Sequence, residues 1–187
     1  MSTLAAAEKQ LLEKFAAFAE KQDLTLVHEA LELVEAVERD VPLGDSAARQ
    51  AALSLRLTFM AELERNIDPK WDSSKTPVRG ATPPTTMAGI VYATGEVDPS
   101  TIVNPDERAK YERELKASKD YERWYHLQYD LRRIDEQSIR FMEVWLAQHY
   151  RNFEADRREL DQVIETSRLS EVRKEQMRTL TRDSSGP

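Results

Sequence analysis

Apolar residues recur every three or four positions along the first 67 residues, a spacing typical of amphipathic α-helices. The first stripe predicts a helix from about Thr3 to Lys21, and the second predicts a helix that begins near Asp23 and ends before Pro42. Asp45 is a favourable N-cap for a third helix, which Pro69 would end. Because the apolar face of this third helix is wide, we expect it to pack against more than one other helix.

The C-terminal part of the chain predicts longer helices. Asn104 and Pro105, followed by two acidic residues, form a strong helix start, because Asn is a favoured N-cap and Pro fits the first helical turn. This helix is expected to reach about Ala117, where residues 118–120 allow either a bend or a continuation. A last short helix is predicted from Ser170 to about Leu180. Between them runs a heptad-like seam, which comprises Trp124, Leu127, Leu131, Ile134, Ser138, Phe141 and Trp145.

The stretch from Asp68 to Asn104 interrupts this helical pattern and contains most of the Pro and Gly residues of the chain. Connections of this length without secondary structure are uncommon in compact domains and are usually functional or disordered. Thr82 to Thr86, with two adjacent prolines, predicts an extended, polyproline-like backbone. Met87 to Ala93 follows as an apolar run that a plain linker would not need.

These patterns together predict one all-α domain over residues 1–187. We expect an antiparallel helical bundle in which a long Pro- and Gly-containing connection joins N-terminal helices to a long C-terminal helical hairpin. The expected boundaries are 1–67 for the N-terminal helices, 68–104 for the connection, 105–182 for the C-terminal helices and 183–187 for a tail.

Composition excludes several classes of protein. The formal net charge of −7 is divided into −6 before residue 105 and −1 after it, so neither part has the basic character of a nucleic-acid-binding surface. The absence of cysteine excludes disulfides, zinc–thiolate sites and thiol catalysis. No stretch approaches the roughly 20 apolar residues of a membrane span. We expect no secretory signal in the chain as given, and the compartment stays open.

The histidines are the first place to look for catalysis. His28 with Glu32 and His126 with Asp130 each form an i,i+4 pair that could offer two ligands from one helix. However, the chain lacks both the Glu-x-x-His motif of di-iron bundles and the His-Glu-x-x-His motif of zinc proteases. It also lacks a phosphate-binding loop and a nucleophile elbow. We therefore predict a protein without a metal, a cofactor or catalytic activity, with a metal-dependent enzyme using His126 and Asp130 as an alternative.

Aromatic residues are concentrated between Tyr111 and Phe153. Trp124 and Trp145 lie on the heptad-like seam and are expected in the core. The side chains of Tyr125 and Tyr129 lie off it, so they either form an exposed partner-binding face or are covered by the connection. Cover by the connection is favoured, because its apolar residues need a surface to pack on.

We accordingly predict recognition of another protein, or of a second copy of this chain, through the connection and the aromatic helix face. The candidate residues are Pro83, Pro84, Met87, Ile90, Val91, Tyr92, Tyr125 and Tyr129. An alternative is an acidic inhibitor or immunity-type protein that neutralises a partner enzyme. Its binding face would be the outward side of the second helix, with Glu29, Glu32, Glu35 and Glu38.

One segment also resembles a known group of proteins. Ile102, Asn104-Pro105 and Arg108-Ala109-Lys110-Tyr111-Glu112, followed by Leu131-Arg132-Arg133-Ile134-Asp135, are similar to a pattern in uncharacterised bacterial proteins that are often exported. Ile134 stands where that pattern has Leu. The resemblance covers residues 98–136, about a fifth of the chain, and leaves out the N-terminal helices. It implies a helical protein and raises the expectation of export, but it brings no activity and no catalytic residues.

Overall fold

The computed structural model describes residues 3–75, 98–150 and 154–183. These residues contain no strand, and the predicted all-α fold is confirmed. None of the helices in the described part is long and apolar enough to cross a membrane. The helices are α1 (Thr3–Lys21), α2 (Leu24–Arg39), α3 (Ser46–Asn66), α4 (Pro105–His149), α5 (Glu154–Thr166) and α6 (Glu171–Asp183), with a 3-10 turn at Pro99–Thr101.

Local hydrogen bonds set the ends of the first three helices. Gln22 adopts a left-handed backbone conformation, with φ of 55°, and its N–H donates to Phe18 O at 2.8 Å, which closes the C-terminus of α1. The Asp23 carboxylate then accepts from the N–H of Thr25 at 3.0 Å and starts α2. Asp45 caps α3 in the same way, with its carboxylate 3.0 Å from the Ala48 N–H.

The chain forms two compact units. Unit 1 comprises Met1–Asp68 and Leu131–Pro187, and unit 2 comprises Pro69–Asp130. Helix α4 contributes residues to both units.

Helix α3 is the centre of unit 1. It packs against α1, α2 and α5, as expected from its wide apolar face. Phe59 meets Phe15 of α1 edge to face, with ring centroids 5.6 Å apart. Arginines of α3 also reach α4: Arg56 donates to the Ser138 hydroxyl at 3.0 Å, and Arg49 donates to the backbone O of His149 at 2.9 Å. The order of these contacts makes α3 and the C-terminal part of α4 antiparallel.

Helices α5 and α6 pack against each other in unit 1. Lys174 of α6 donates to the backbone O of Glu165 at 2.9 Å, and Arg178 pairs with the carboxylate of the same residue at 2.5 Å. Ser170 caps α6 and binds Glu64 of α3, whose carboxylate accepts the Ser170 N–H at 3.1 Å. Arg173 pairs with Asp135 of α4. Polar contacts therefore tie α6 to three other helices of unit 1.

Helix α4 continues through residues 118–120 without a break, so the two predicted C-terminal segments are one helix of 45 residues. Four members of the predicted seam are buried, namely Leu131, Ile134, Ser138 and Trp145. The others are less covered: Trp124 and Leu127 are half-buried, and Phe141 is 37% exposed. Met142 takes the interior position next to Phe141. A straight α-helix drifts by about 20° per heptad from a 3.5-residue repeat, which accounts for this shift of one position.

Candidate protein-binding surface

The predicted binding residues fall into two groups in the structure. Tyr125 and Tyr129 lie on α4 in unit 2. The other six, which belong to the connection, lie outside the described residues: Pro83, Pro84, Met87, Ile90, Val91 and Tyr92. The first residues of the connection, Pro69 to Lys75, are described, and they lie against α4.

Trp71 attaches the start of the connection to α4. Its ring centroid lies 5.5 Å from that of Tyr125 and 6.3 Å from that of Tyr129, in tilted arrangements. Its indole N–H donates to the backbone O of Tyr125 at 3.1 Å. Aromatic pairs at such distances contribute roughly 0.5–1.5 kcal/mol beyond the burial of their surface. Trp71 is therefore the anchor of this part of unit 2.

A capped turn follows the anchor. The carboxylate of Asp72 accepts from the Ser74 N–H at 2.9 Å and from the Ser74 hydroxyl at 2.8 Å, while its backbone O accepts the Lys75 N–H at 3.1 Å. The hydrogen bond from the Ser74 N–H lowers the pKa of Asp72. The turn directs two carbonyl oxygens to tyrosines: Tyr125 donates to Ser73 O and Tyr121 to Lys75 O, both at 3.4 Å.

Tyr121, Tyr125 and Tyr129 are spaced four residues apart and form what we call the tyrosine face of α4. Each step of four residues rises about 6 Å along the helix. Trp71 and the turn cover Tyr125, which is only 8% exposed, whereas Tyr121 is 41% exposed and Tyr129 is 49% exposed. The two outer tyrosines thus keep nearly half of their surface available beside a fixed central one.

A small apolar cluster supports the N-terminal part of α4. Ile102 and Tyr111 are each 1% exposed and pack together, with Leu115 against them. Arg108 donates through Nε at 2.9 Å and through Nη2 at 2.6 Å to Ile102 O. Asn104 caps the helix, with its side-chain oxygen 2.9 Å from the Asp106 N–H. Residues quoted for the bacterial resemblance thus have a local structural role here.

The histidine pairs do not assemble a ligand set. His126 is largely exposed and its Nε2 lies 3.7 Å from Glu122, one turn before it, rather than beside Asp130. His28 is exposed on α2. Within residues 3–75, 98–150 and 154–183, no group of three or more His, Asp or Glu side chains is arranged to hold a metal ion.

The predicted acidic face of α2 is smaller than expected. Glu32 and Glu35 are exposed, but Glu29 is half-buried and pairs with Lys14 at 2.5 Å. Glu38 is 8% exposed and points into unit 1, so its assignment to the outward face was wrong. The buried stripe of α2 includes Val27, Ala30 and Val34 and continues one turn further to Glu38. Glu32 and Glu35 are therefore the exposed carboxylates of this predicted face.

Unit 1 contains two buried polar clusters that the sequence patterns did not predict. The first is centred on Arg56. Arg56 of α3 binds Glu38 with two parallel hydrogen bonds of 2.7 and 2.6 Å and binds Ser138 with a third. Its guanidinium also lies 4.4 Å from the centre of the Phe141 ring. Burial raises the pKa of Glu38, and the hydrogen bonds and charge of Arg56 partly offset this. The sequence did contain a signal for this pair, because Glu38 and Arg56 each lie on the apolar stripe of their helix.

The second buried cluster surrounds Arg49, one heptad before Arg56. Arg49 donates to Glu159 of α5 through Nε at 2.7 Å and through Nη2 at 2.9 Å, and to Asp156 at 2.9 Å. Glu159 also accepts from the Ser46 hydroxyl at 2.6 Å. The hydrogen bonds from Arg49 lower the pKa of Glu159 to about 2. Burial raises the pKa of Tyr150, whose ring lies 4.4 Å from the guanidinium.

Both arginine clusters join helices within unit 1 through buried ion pairs. Among the described aromatic residues, Tyr121 and Tyr129 of the tyrosine face are more exposed than Phe141 of unit 1. Comparisons of this chain with protein-family models, with curated proteins and with solved structures found no match. The resemblance of residues 98–136 to exported bacterial proteins therefore stays a prediction.

Proposed function

We propose that this protein is a non-catalytic binding protein that recognises another protein, or a second copy of itself, through the tyrosine face of α4 and the connection that starts beside it. The observation that carries the proposal is the half exposure of Tyr121 and Tyr129 on either side of the anchored Tyr125. Tyr and Trp are enriched among the residues that dominate binding energy at protein interfaces.

The anchoring of the tyrosine face favours binding. Tyrosine offers a large contact surface with only two rotatable side-chain bonds, so it loses little conformational entropy when a partner binds. The backbone beneath it is an α-helix, and Trp71 fixes the neighbouring turn through its hydrogen bond to Tyr125 O. A surface held in this way needs little rearrangement on association.

The connection is the second part of the proposed surface. Its first described part ends at Lys75, whose backbone O accepts from Tyr121. Residues Pro83 and Pro84 and the apolar run from Met87 to Ala93 follow within 18 residues. A partner on Tyr121 would therefore meet the start of the connection. We infer that the two parts act as one recognition surface.

The test compares two double variants. Tyr121→Ser with Tyr129→Ser removes the exposed rings of the tyrosine face, whereas Val144→Ser with Val172→Ser removes two exposed apolar side chains of unit 1 as a matched control. Self-association is measured by sedimentation velocity over a range of protein concentrations. Association with another protein is measured by quantitative affinity capture from an extract of the producing cells.

The proposal expects an associated species with the wild-type protein. Its affinity should fall at least about tenfold in the tyrosine variant, since truncating a hot-spot residue of an interface costs about 2 kcal/mol or more. The affinity should persist in the valine variant. Equal loss in both variants, equal retention in both, or no associated species with the wild-type protein would each contradict the proposal.

A further inference from the structure

The last residue of α4, His149, lies in an unusual place for an ionisable side chain. Its imidazole stacks on the indole of Trp145, four residues earlier, with ring centroids 4.3 Å apart and an interplanar angle of 28°. Trp145 is only 5% exposed. One face of the imidazole is therefore covered by a buried ring.

Two ring nitrogens of this stack are buried without a hydrogen bond among the described residues. His149 Nδ1 is buried and has no hydrogen-bond partner among the described residues, and the same holds for Trp145 Nε1. Protonation would turn His149 Nδ1 into a charged donor, and an unsatisfied buried donor is costly. The backbone of His149 is fixed as well, because its O accepts from Arg49 Nη1 at 2.9 Å.

The described charged groups at this junction come from two helices, α3 and α5. Arg49 of α3 presents a permanent positive charge, while Asp156 and Glu159 of α5 present carboxylates that are already bound to Arg49. Tyr150, the next residue, is a further titratable neighbour and contacts the Arg49 guanidinium with its ring. A protonated imidazole would therefore add a second cation beside Arg49 while the nearby carboxylates are engaged. Burial, and then the charge of Arg49, lower the pKa of His149.

We propose that His149 makes the junction of α3, α4 and α5 sensitive to pH: the neutral imidazole supports the packing of Trp145 and Arg49, and protonation loosens it. This inference is independent of the proposed binding function. The fold favours the neutral form of His149, whose pKa is lowered from its ordinary value of 6.5. The contribution of this group to the free energy of unfolding is therefore complete above pH 6.5 and is lost as pH falls below 6.5. A carboxylate with a lowered pKa, such as that of Glu159, changes the stability only at a lower pH.

The test uses the full chain and two complementary substitutions. His149→Phe keeps an aromatic ring against Trp145 and has no titratable group, whereas His149→Arg places a permanent cation at the same position. His126→Phe is the control, because His126 is exposed on the same helix. The chain has only three histidines, so their imidazole protons can be assigned by NMR through single substitutions. Unfolding in urea is then measured at pH 7, 6 and 5.

The proposal expects His149 to titrate below 6.5 and the urea midpoint of the wild-type protein to decrease between pH 7 and pH 5. His149→Phe should remove most of that decrease, His126→Phe should retain it, and His149→Arg should lower the midpoint at every pH. A titration midpoint of His149 at or above 6.5, or the same pH dependence in His149→Phe as in the wild-type protein, would overturn the proposal.

Discussion

Helix α4 passes through two environments that differ in how much of it is covered. In unit 1 it buries a stripe that includes Leu131, Ile134, Met142 and Leu146. In unit 2, residues 105–130 bury only three side chains among those described, namely Tyr111, Tyr125 and Gln128. Because most helical stability in proteins comes from tertiary packing, the two parts of one helix must differ in stability. The less covered part also carries the tyrosine face, in which Tyr121 is 41% exposed and Tyr129 is 49% exposed.

The two units also differ in the sequence separation of the residues that their polar contacts join. In unit 1, Arg49 and Arg56 join residues that are far apart in the sequence, such as Glu159 and Glu38. In the described part of unit 2, most polar contacts are local turns and caps, as at Asp72, Asp98 and Asn104. The exceptions join the start of the connection to α4, since Trp71 donates to Tyr125 O, Tyr125 to Ser73 O and Tyr121 to Lys75 O. Unit 1 is thus specified by buried pairing, and unit 2 by local geometry with a single aromatic anchor.

The largest effect is expected at Arg56. Arg56→Met should destabilise the protein by about 3–5 kcal/mol, because it leaves the buried carboxylate of Glu38 without its partner. Urea unfolding followed by circular dichroism measures this loss. The control is the double variant Glu38→Leu with Arg56→Met, which removes both charges and should recover much of the lost stability. If the double variant were as unstable as the single one, the buried ion pair would not be the cause.

A smaller, pH-dependent effect is expected at Glu159. The pKa of this carboxyl group is lowered from 4.5 to about 2, so its ionised form is stabilised by folding. The stabilisation is complete above pH 4.5 and is lost as pH falls toward 2, and it amounts to at most about 3 kcal/mol. Glu159→Gln should therefore be less stable than the wild-type protein at pH 7, and the difference should shrink at pH 4 and pH 3. A difference that stayed constant from pH 7 to pH 3 would show that charge is not involved.

The smallest effect on global stability is expected at Trp71. Trp71→Ala removes the contacts to Tyr125 and Tyr129, so backbone hydrogen exchange in residues 119–130 should become faster by about tenfold. The urea midpoint of unit 1 should change little, because Trp71 lies in unit 2. Val103→Ala, at a residue that is 90% exposed in the same unit, is the control and should leave exchange unchanged. A loss of global stability equal to that of Arg56→Met would remove the distinction between the units.

Much of the fold was readable from local patterns. Asp23, Asp45 and Asn104 cap helices because a short polar side chain can reach the free backbone N–H groups of the first turn, which is a property of the adjacent sequence alone. The wide apolar face of α3 likewise predicted several packing partners. The sequence placed Tyr125 and Tyr129 together on one helix face, which stays a predicted binding face, but it did not point to Trp71 or Tyr121. Their contribution depends on a turn that brings the connection back onto α4.

What the sequence determined by itself is therefore the all-α architecture and most helix limits, because these follow from interactions between residues a few positions apart. What only the tertiary structure decided is which polar and aromatic side chains are covered. Periodicity shows which residues share a helix face, but it does not show which neighbour packs on that face. Glu38, Arg49 and Arg56 are buried because complementary charges from other helices meet them there. Tyr125 is buried and Tyr129 half-exposed because Trp71 and its turn cover the tyrosine face unevenly.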